Sequence, residues 1–338
     1  MNFLYFDIES LENIFSCVVH DEHANTLDIY HLIDPVLYVD SDKEYRLPDM
    51  LKAKGPAWMD ECRNHIMKTN LNFTNFNTEN QPIRFFDLHQ RQSQERLFKT
   101  FGVSTAQYMN RVGQKDTSGD PIDVYEDQYR LVCDTDKGYD PDLHPYILGY
   151  NSENYDTTML ALYAAGAHPD LHRYNDKKNT AHTMREHNDM LFSAYFKGQM
   201  PKYLMHDASN SNLGFTTNDE LKPMFYHQNL IRKNMLMSGR YVDSARLNEK
   251  QSKVALKRIL GMLGFQIKES SKLSSDQTII HDLDELYDLI AYNVSDVINE
   301  KALFHHRTYY GQFELKKGLL NKYPELVYKE KDDTYRPD

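Results

Sequence analysis

The chain has 338 residues, of which 40% are hydrophobic and 26% are charged, and its formal net charge is −11 at pH 7. This length and composition predict a soluble globular protein with a substantial core, and they exclude a helical membrane protein, because no stretch approaches the ~20 apolar residues that cross a bilayer. The acidic balance argues against broad nonspecific binding to nucleic acid, for which basic surface dominates affinity. It leaves room for an enzyme that binds a strand end, since divalent metal ions can supply the positive charge.

The N-terminus and the cysteines favour a cytoplasmic protein. The chain begins with an acidic, strand-like segment and lacks the basic and apolar regions of a signal peptide. Its cysteines, Cys17, Cys62 and Cys133, stand far apart and form no Cys-x-x-Cys pair. They are more typical of a reducing compartment than of a disulfide framework.

The first third of the chain predicts mostly strands. Aromatic and branched residues dominate Asn2–Ser10, and two similar runs follow at Ile14–Val19 and Leu27–Ile33, which together predict an antiparallel meander. Ile83–Leu88 predicts another strand, and Gln94–Phe101 predicts a helix. The polar segments 35–80 and 104–142 are interpreted as insertions. A calcium loop in the second is disfavoured because Gly138 and Pro145 stand at ligand positions.

The remainder predicts helices around one short strand. Tyr146–Asn151 reads as a strand that runs into a turn, and a helix follows from about Glu153 to Ala165, ended by Gly166. Segment 170–240 is of mixed helical quality and is interpreted as a third insertion. Val254–Leu263 predicts an amphipathic helix closed by Gly264, and Leu283–Phe304 predicts one long helix or two joined near Tyr292. We expect one α/β domain over residues 1–325 and a charged tail or linker over 326–338.

Asp7 and Glu9 are the first candidate metal ligands. Residues i and i+2 of a strand share a face, so the two carboxylates project together, alongside Phe3 and Tyr5, while Leu4, Phe6 and Ile8 face a core. Two acids beside a core repel each other, and a hard divalent cation such as Mg²⁺ or Mn²⁺ would relieve that cost. A strand end with two solvated acids is the alternative.

Two further motifs carry acids. Asn151 and Asp156 span a strand–helix junction, where an acid is also common simply as a helix cap. Tyr292 and Asp296 lie four residues apart in a predicted helix and therefore share a face. The alternative for this pair is an ordinary amphipathic helix with a half-buried tyrosine and a solvated aspartate.

Taken together and in this order, the three motifs resemble the exonuclease motifs of the DEDD superfamily in its tyrosine variant. The histidine variant would need His five residues before the last Asp, where this chain has Ala291. The proofreading domains of family B-type DNA polymerases are the most similar group. Residues 240–325, with Leu256-Lys257-Arg258, Leu263-Gly264 and Tyr292-Asn293-Val294-Ser295-Asp296-Val297, resemble those of bacteriophage polymerases. Elsewhere the resemblance is confined to motifs.

The resemblance implies a ribonuclease H-like mixed sheet flanked by helices and a site for two divalent metal ions, Mg²⁺ or Mn²⁺. It implies Asp7, Glu9, Asp156 and Asp296 as metal ligands, Tyr292 as the residue that orients the attacking water, and Asn151 as a strand contact. The implied activity is 3′→5′ hydrolysis of single-stranded DNA, as in phage-type proofreading, by a part or partner of a DNA polymerase. The compartment would be the host cytoplasm if the chain is viral.

Several substrate contacts are weighed beside these residues. Phe3 and Tyr155 flank the acids and can stack on terminal bases, as aromatic residues do in single-strand sites, although core packing is the favoured interpretation of Phe3. Lys257 can contact a phosphate or lie on a solvated helix face. The polar segment Arg185–Asp189 suggests a DNA-facing helix, with a plain surface helix favoured.

Two other functions remain open at this point. One is a noncatalytic scaffold that binds DNA or a polymerase, against which the complete set of acids argues. The other is an exoribonuclease, because no residue of the chain is seen to read a 2′-hydroxyl and the preference for DNA rests on the resemblance. No P-loop and no nucleophile elbow is present in the sequence.

Overall fold

The computed structural model describes residues 1–70, 82–102, 145–153, 155–166, 179–196, 228, 231–232, 235–236, 240–247, 254–265, 278–322, 329–331 and 334–336. The predicted insertion at 104–142 lies outside these residues, as does most of the one at 170–240. The described part is an α/β structure built on a six-stranded mixed sheet.

The sheet begins with the predicted meander. Strands β1 (Phe3–Leu11), β2 (Ile14–Asp21) and β3 (Thr26–Ile33) pair in antiparallel fashion. Strand β4 (Ile83–Asp87) adds in parallel to β3, and β5 (Tyr146–Gly149) and β6 (Tyr241–Asp243) add in parallel beyond β1. The order is β4-β3-β2-β1-β5-β6. Because β2 alone runs the opposite way, the carboxyl ends of the other five strands lie along one edge.

Helices cover both faces of the sheet. They are α1 (Leu47–Lys54), α2 (Ala57–Asn70), α3 (Arg91–Thr100), α4 (Asp156–Gly166), α5 (Thr180–Phe196), α6 (Leu256–Met262), α7 (Leu283–Phe304) and α8 (Arg307–Lys322). A 3-10 turn, Ser244–Leu247, follows β6. The predicted charged tail contains a hairpin of β7 (Lys329–Lys331) and β8 (Thr334–Arg336). No helix among the described residues combines the length and the apolar character needed to cross a membrane.

Strand β1 lies between two cores. Leu4, Phe6 and Ile8 pack in the core beneath α3, α4 and α5, whereas Phe3 and Tyr5 pack in a second core with α2, α7 and α8. All of α4 is buried. The alternation of residues in β1 predicted a core on one face of the strand only. The second core follows from α2 and α7, which cover the face that carries Asp7 and Glu9 farther along the strand.

Helix α7 is continuous through Tyr292, which resolves the choice between one helix and two. The side chain of Asp282 caps it by accepting a hydrogen bond from the Glu285 amide at 3.1 Å. The helix contacts α2, β1 and β2. Tyr292, Asp296 and Glu300 recur every four residues and therefore form one stripe of the helix surface, which runs alongside β1.

Candidate functional site

The acids of β1 meet one acid of α7. One carboxylate oxygen from each of Asp7, Glu9 and Asp296 lies within 4.8 Å of the others, and all three residues are partly exposed. Strand alternation brings the first two together, and the packing of α7 across β1 adds the third. This is the one cluster of three or more candidate ligand side chains among the described residues.

Asp156 lies near this cluster, and its charge acts on Asp7, but it is not one of the three acids whose oxygens lie within 4.8 Å of one another. It is the first residue of α4 and is 5% exposed; burial raises its pKa, while its own backbone amide and that of Ile8 act to lower it. The chain reaches it through a tight turn after β5. At Gly149 a Cβ would lie 2.4 Å from the Ser152 Oγ, and Asn151 has a left-handed φ of 55°. Glycine and asparagine are the residues that such a turn favours.

A buried aspartate that the sequence analysis missed holds this turn. Asp243, the last residue of β6, accepts hydrogen bonds from the backbone amides of Asn151 at 2.9 Å, Glu153 at 3.4 Å and Ala245 at 3.0 Å. The β5–α4 turn is thereby tied to the end of the neighbouring strand. The signal available in the sequence was an acid directly after a short Tyr-Val run, and this is too common a pattern to be informative.

Glu300 is the second missed acid. It is 2% exposed, its Oε1 accepts a hydrogen bond from the Ser244 hydroxyl, and its Oε2 has no hydrogen-bond partner among the described residues. Its charge acts on Asp7. The stripe of α7 that runs alongside β1 therefore carries two acids, Asp296 and Glu300. The four-residue spacing of Tyr292 and Asp296, continued by one step along the helix, would have identified this position from the sequence.

The crowding of carboxyl groups shifts their protonation. Burial, and then the charges of Asp156, Glu9 and Asp296, raise the pKa of Asp7 well above its usual range. Burial and Asp296 raise the pKa of Glu9 to about 7. Burial is also the largest cause of the raised pKa values of Asp156 and Asp296. Without a cation, these groups retain protons at a pH where isolated carboxyls are ionised.

Two cationic side chains border the acids. The Lys257 ammonium of α6 lowers the pKa of Glu9 and of Asp296, and the Arg185 guanidinium of α5 also lowers that of Glu9. Lys257 is partly exposed and lies 4.0 Å from the centroid of the Tyr292 ring. It thus belongs to the site and does not lie on a detached helix face.

Tyr292 faces Asp296 one turn along α7. Burial and the charge of Asp296 raise the pKa of the Tyr292 phenol, and hydrogen bonding from that phenol lowers the pKa of Asp296. The phenol therefore keeps its proton throughout the neutral range. A protonated hydroxyl that is partly exposed beside three carboxylates can hydrogen-bond a water or a substrate oxygen.

The other candidate substrate contacts divide into two groups. The exposed Asn151 and the half-buried Tyr155 lie on the β5–α4 turn next to Asp156. Phe3 does not belong to the site and is a correction to the sequence analysis. It is 5% exposed and packs against the rings of Tyr146, Phe304 and Phe313. Since the second core encloses this end of β1, Phe3 presents no ring face to a nucleic-acid base.

The donor set fits a hard divalent cation. All the candidate ligands are carboxylate oxygens, which Mg²⁺, Mn²⁺ and Ca²⁺ prefer. The buried Oδ1 of Asp296 has no hydrogen-bond partner among the described residues. A bound cation would satisfy this oxygen and replace the protons that the crowded carboxyl groups otherwise hold.

Comparison of the chain with models of protein families, with curated proteins and with solved structures finds no match.

Proposed function

We propose that the chain is a metal-dependent 3′→5′ exonuclease that degrades single-stranded DNA. The observation that carries the proposal is the convergence of Asp7 and Glu9 from β1 with Asp296 from α7, within 4.8 Å of one another. The motif resemblance named these residues, together with Asp156 and Tyr292, from sequence alone. The side chains of all five lie in or beside one group of acids.

The strand order supports the proposed ribonuclease H-like fold without being specific to it. An antiparallel meander whose first strand continues in parallel into β5 and β6 is compatible with that fold. The ends of β5 and β6 lie side by side at Gly149 and Asp243, next to the middle of β1, and the β1 acids Asp7 and Glu9 follow its last pair with β5. Carboxyl ends of strands are frequent positions for active-site residues in α/β proteins.

In the proposed site, Asp7, Glu9 and Asp296 would hold divalent metal, Mg²⁺ or Mn²⁺, and Asp156 would contribute to a second metal position. When bound, such ions would activate water and stabilise charge on the phosphate. Tyr292 keeps its proton and orients the attacking water by a hydrogen bond. Its raised pKa makes it a poor base and a stable donor.

Three partly exposed side chains would hold the strand end. Lys257 supplies positive charge on one side of the acids, and Asn151 and Tyr155 supply polar and aromatic contacts on the turn before α4. We expect the activity to serve proofreading in phage-type replication, with the chain acting as part or partner of a DNA polymerase. This last expectation rests on the resemblance of residues 240–325.

The direct experiment is a cleavage assay with labelled single strands. Purified protein is incubated with 5′-labelled and 3′-labelled DNA oligonucleotides in Mg²⁺ or Mn²⁺, with and without chelator. A 5′-labelled ladder that shortens one nucleotide at a time, and that chelator abolishes, supports the proposal. Absence of metal-dependent cleavage would favour the noncatalytic scaffold, and faster cleavage of the matching RNA would favour an exoribonuclease.

A further inference from the structure

Arg185 links two backbone segments that carry the proposed metal ligands. Its Nη1 donates hydrogen bonds to the carbonyl oxygen of Ser10 at 2.9 Å and to the hydroxyl of Tyr155 at 3.2 Å. Ser10 follows Glu9 and Tyr155 precedes Asp156. One guanidinium thus spans the end of β1 and the start of α4, beside the acids of both.

The helix that carries Arg185 is held firmly at its first turn. Asp34, which is fully buried, accepts hydrogen bonds from the amides of Ala181 at 2.9 Å and His182 at 2.8 Å. Arg185 follows one turn later, and its Nε pairs with Asp189 at 3.3 Å. The helix backbone, and the Nη1 and Nε atoms of the guanidinium, are therefore oriented before any substrate binds.

The remaining edge of the guanidinium is available to a ligand. The Arg185 side chain is 31% exposed, and its Nη2 makes no hydrogen bond within the described part of the chain. A guanidinium presents its donors in a planar fork that matches phosphate oxygens. Its positive charge already acts on Glu9. A phosphate bound at Nη2 would lie on the side of the acids that α5 contributes, whereas Lys257 comes from α6.

We infer that Arg185 binds the phosphate adjacent to the scissile one, on the strand that the enzyme retains, and so positions the 3′ end at the carboxylates. The inference rests on the proposed function and adds a second phosphate to what the site recognises. It makes Arg185 a positioning residue, since the carboxylates act on the scissile bond.

The experiment compares thymidine dinucleotide, which has the scissile phosphate alone, with thymidine trinucleotide, which has the adjacent one as well. We expect Arg185→Ala to lower kcat/KM for the trinucleotide about 10- to 100-fold, mainly through KM, because a charge-assisted contact is lost. The dinucleotide should lose less than the trinucleotide, because it lacks the adjacent phosphate and is affected only by loss of the link between Ser10 and Tyr155. A trinucleotide with a neutral methylphosphonate at the adjacent linkage lacks the charge that Arg185 would bind. Its kcat/KM with the wild type should therefore equal that of the ordinary trinucleotide with Arg185→Ala.

Two variants separate binding from folding. Arg185→Lys keeps the charge without the fork and should recover part of the loss. Arg91→Ala is the matched control, because Arg91 makes the same i,i+4 ion pair, with Glu95 at 2.7 Å, from a helix that follows the far strand of the sheet. Equal losses on dinucleotide and trinucleotide, or a methylphosphonate penalty that persists in Arg185→Ala, would overturn the inference and leave a structural link.

A binding measurement tests the Arg185 contact without requiring that the substrate be cleaved. In Ca²⁺, fluorescence anisotropy follows the trinucleotide and its methylphosphonate form with wild type and Arg185→Ala. Selective weakening of the charged trinucleotide supports the Arg185 contact even if no substrate is cleaved in Mn²⁺, in which case only the proposed exonuclease fails. Equal affinities for the two forms in the wild type contradict the contact.

Discussion

The ammonium of Lys257 lies 4.0 Å from the centre of the Tyr292 ring, so a cation covers one face of the tyrosine that stands beside Asp296. The two residues come from different helices, α6 and α7. A cation in this position both attracts a substrate phosphate and repels a metal ion, and these effects can be separated by experiment.

Lys257→Gln should raise KM for a single-stranded oligonucleotide about tenfold, because a charged phosphate contact is lost. Calorimetric titration should show that Mn²⁺ binds no more weakly at pH 8, since the removed charge repels it. Lys52→Gln, on the exposed face of α1, is the control and should alter neither quantity. Weaker Mn²⁺ binding with an unchanged KM would show that Lys257 instead organises the acids.

Tyr292→Phe should lower kcat about 10- to 100-fold, because it removes one orienting hydrogen bond, and should leave Mn²⁺ affinity unchanged. Tyr287→Phe is a control on the same helix. The hydroxyl of Tyr287 donates to Glu61 at 3.1 Å, away from the acids, so this variant should lose about 1 kcal/mol of stability at most and keep its activity. Full turnover by Tyr292→Phe contradicts the water-orienting role.

The sequence predicted those parts of the site that depend on local periodicity. The period of a strand placed Asp7 and Glu9 together, and the period of a helix placed Tyr292 beside Asp296. Both are consequences of backbone geometry over four residues or fewer. The motif resemblance was needed to add Asp156, because its approach to Ile8 depends on a turn whose shape is set from elsewhere.

Other features depended on long-range packing. Phe3 lies on the same face of β1 as Asp7, but α7 and α8 enclose it. The residue pattern of β1 does not predict where those two helices lie. Asp243 acts on Asn151 from a strand that is distant in sequence. Helix α2 buries Trp58, Cys62 and Ile66 at four-residue intervals within a segment that its polar residues made ambiguous. These contacts join elements that are distant in sequence, so they are seen only in the folded structure.

Glu300 should make the metal-free protein less stable as pH rises. Burial raises its pKa in the folded state to about 8, against 4.5 when unperturbed, so the folded state binds more protons between these values. The unfolding free energy therefore falls across this window, by on the order of 5 kcal/mol from this group.

Thermal melts of Glu300→Gln in chelator test this expectation. The variant should match the wild type near pH 4.5 and exceed it in Tm at pH 8.5, because the amide remains neutral. Glu95→Gln, at an exposed position of α3, should show no such dependence on pH. A Tm at pH 8.5 that is higher for the wild type than for Glu300→Gln would contradict the burial of an uncompensated acid at this position.

Asp243→Asn should loosen the turn that carries Asn151 and leads to Asp156. The amide group of asparagine would face at least one of the three backbone donors, so we expect a loss of about 1–3 kcal/mol in unfolding free energy. We also expect a lower kcat, because Asp156 follows this turn. Asp21→Asn is the control, since Asp21 accepts from the amide of Ala24 alone, at 2.9 Å, through one oxygen that asparagine retains. An unchanged melting temperature and kcat in Asp243→Asn would show that the turn holds its shape unaided.

Asp7 is the acid on which the proposed cleavage of the strand depends most directly. The most direct measurement is a time course of 5′-labelled single-stranded DNA in Mn²⁺ with wild type, Asp7→Asn and Asp49→Asn, all purified identically. Asp49 lies on the exposed surface of α1 and is a matched acid outside the cluster. We predict stepwise 3′→5′ shortening by the wild type and Asp49→Asn and none by a folded Asp7→Asn. Equal shortening by all three proteins would contradict the claim.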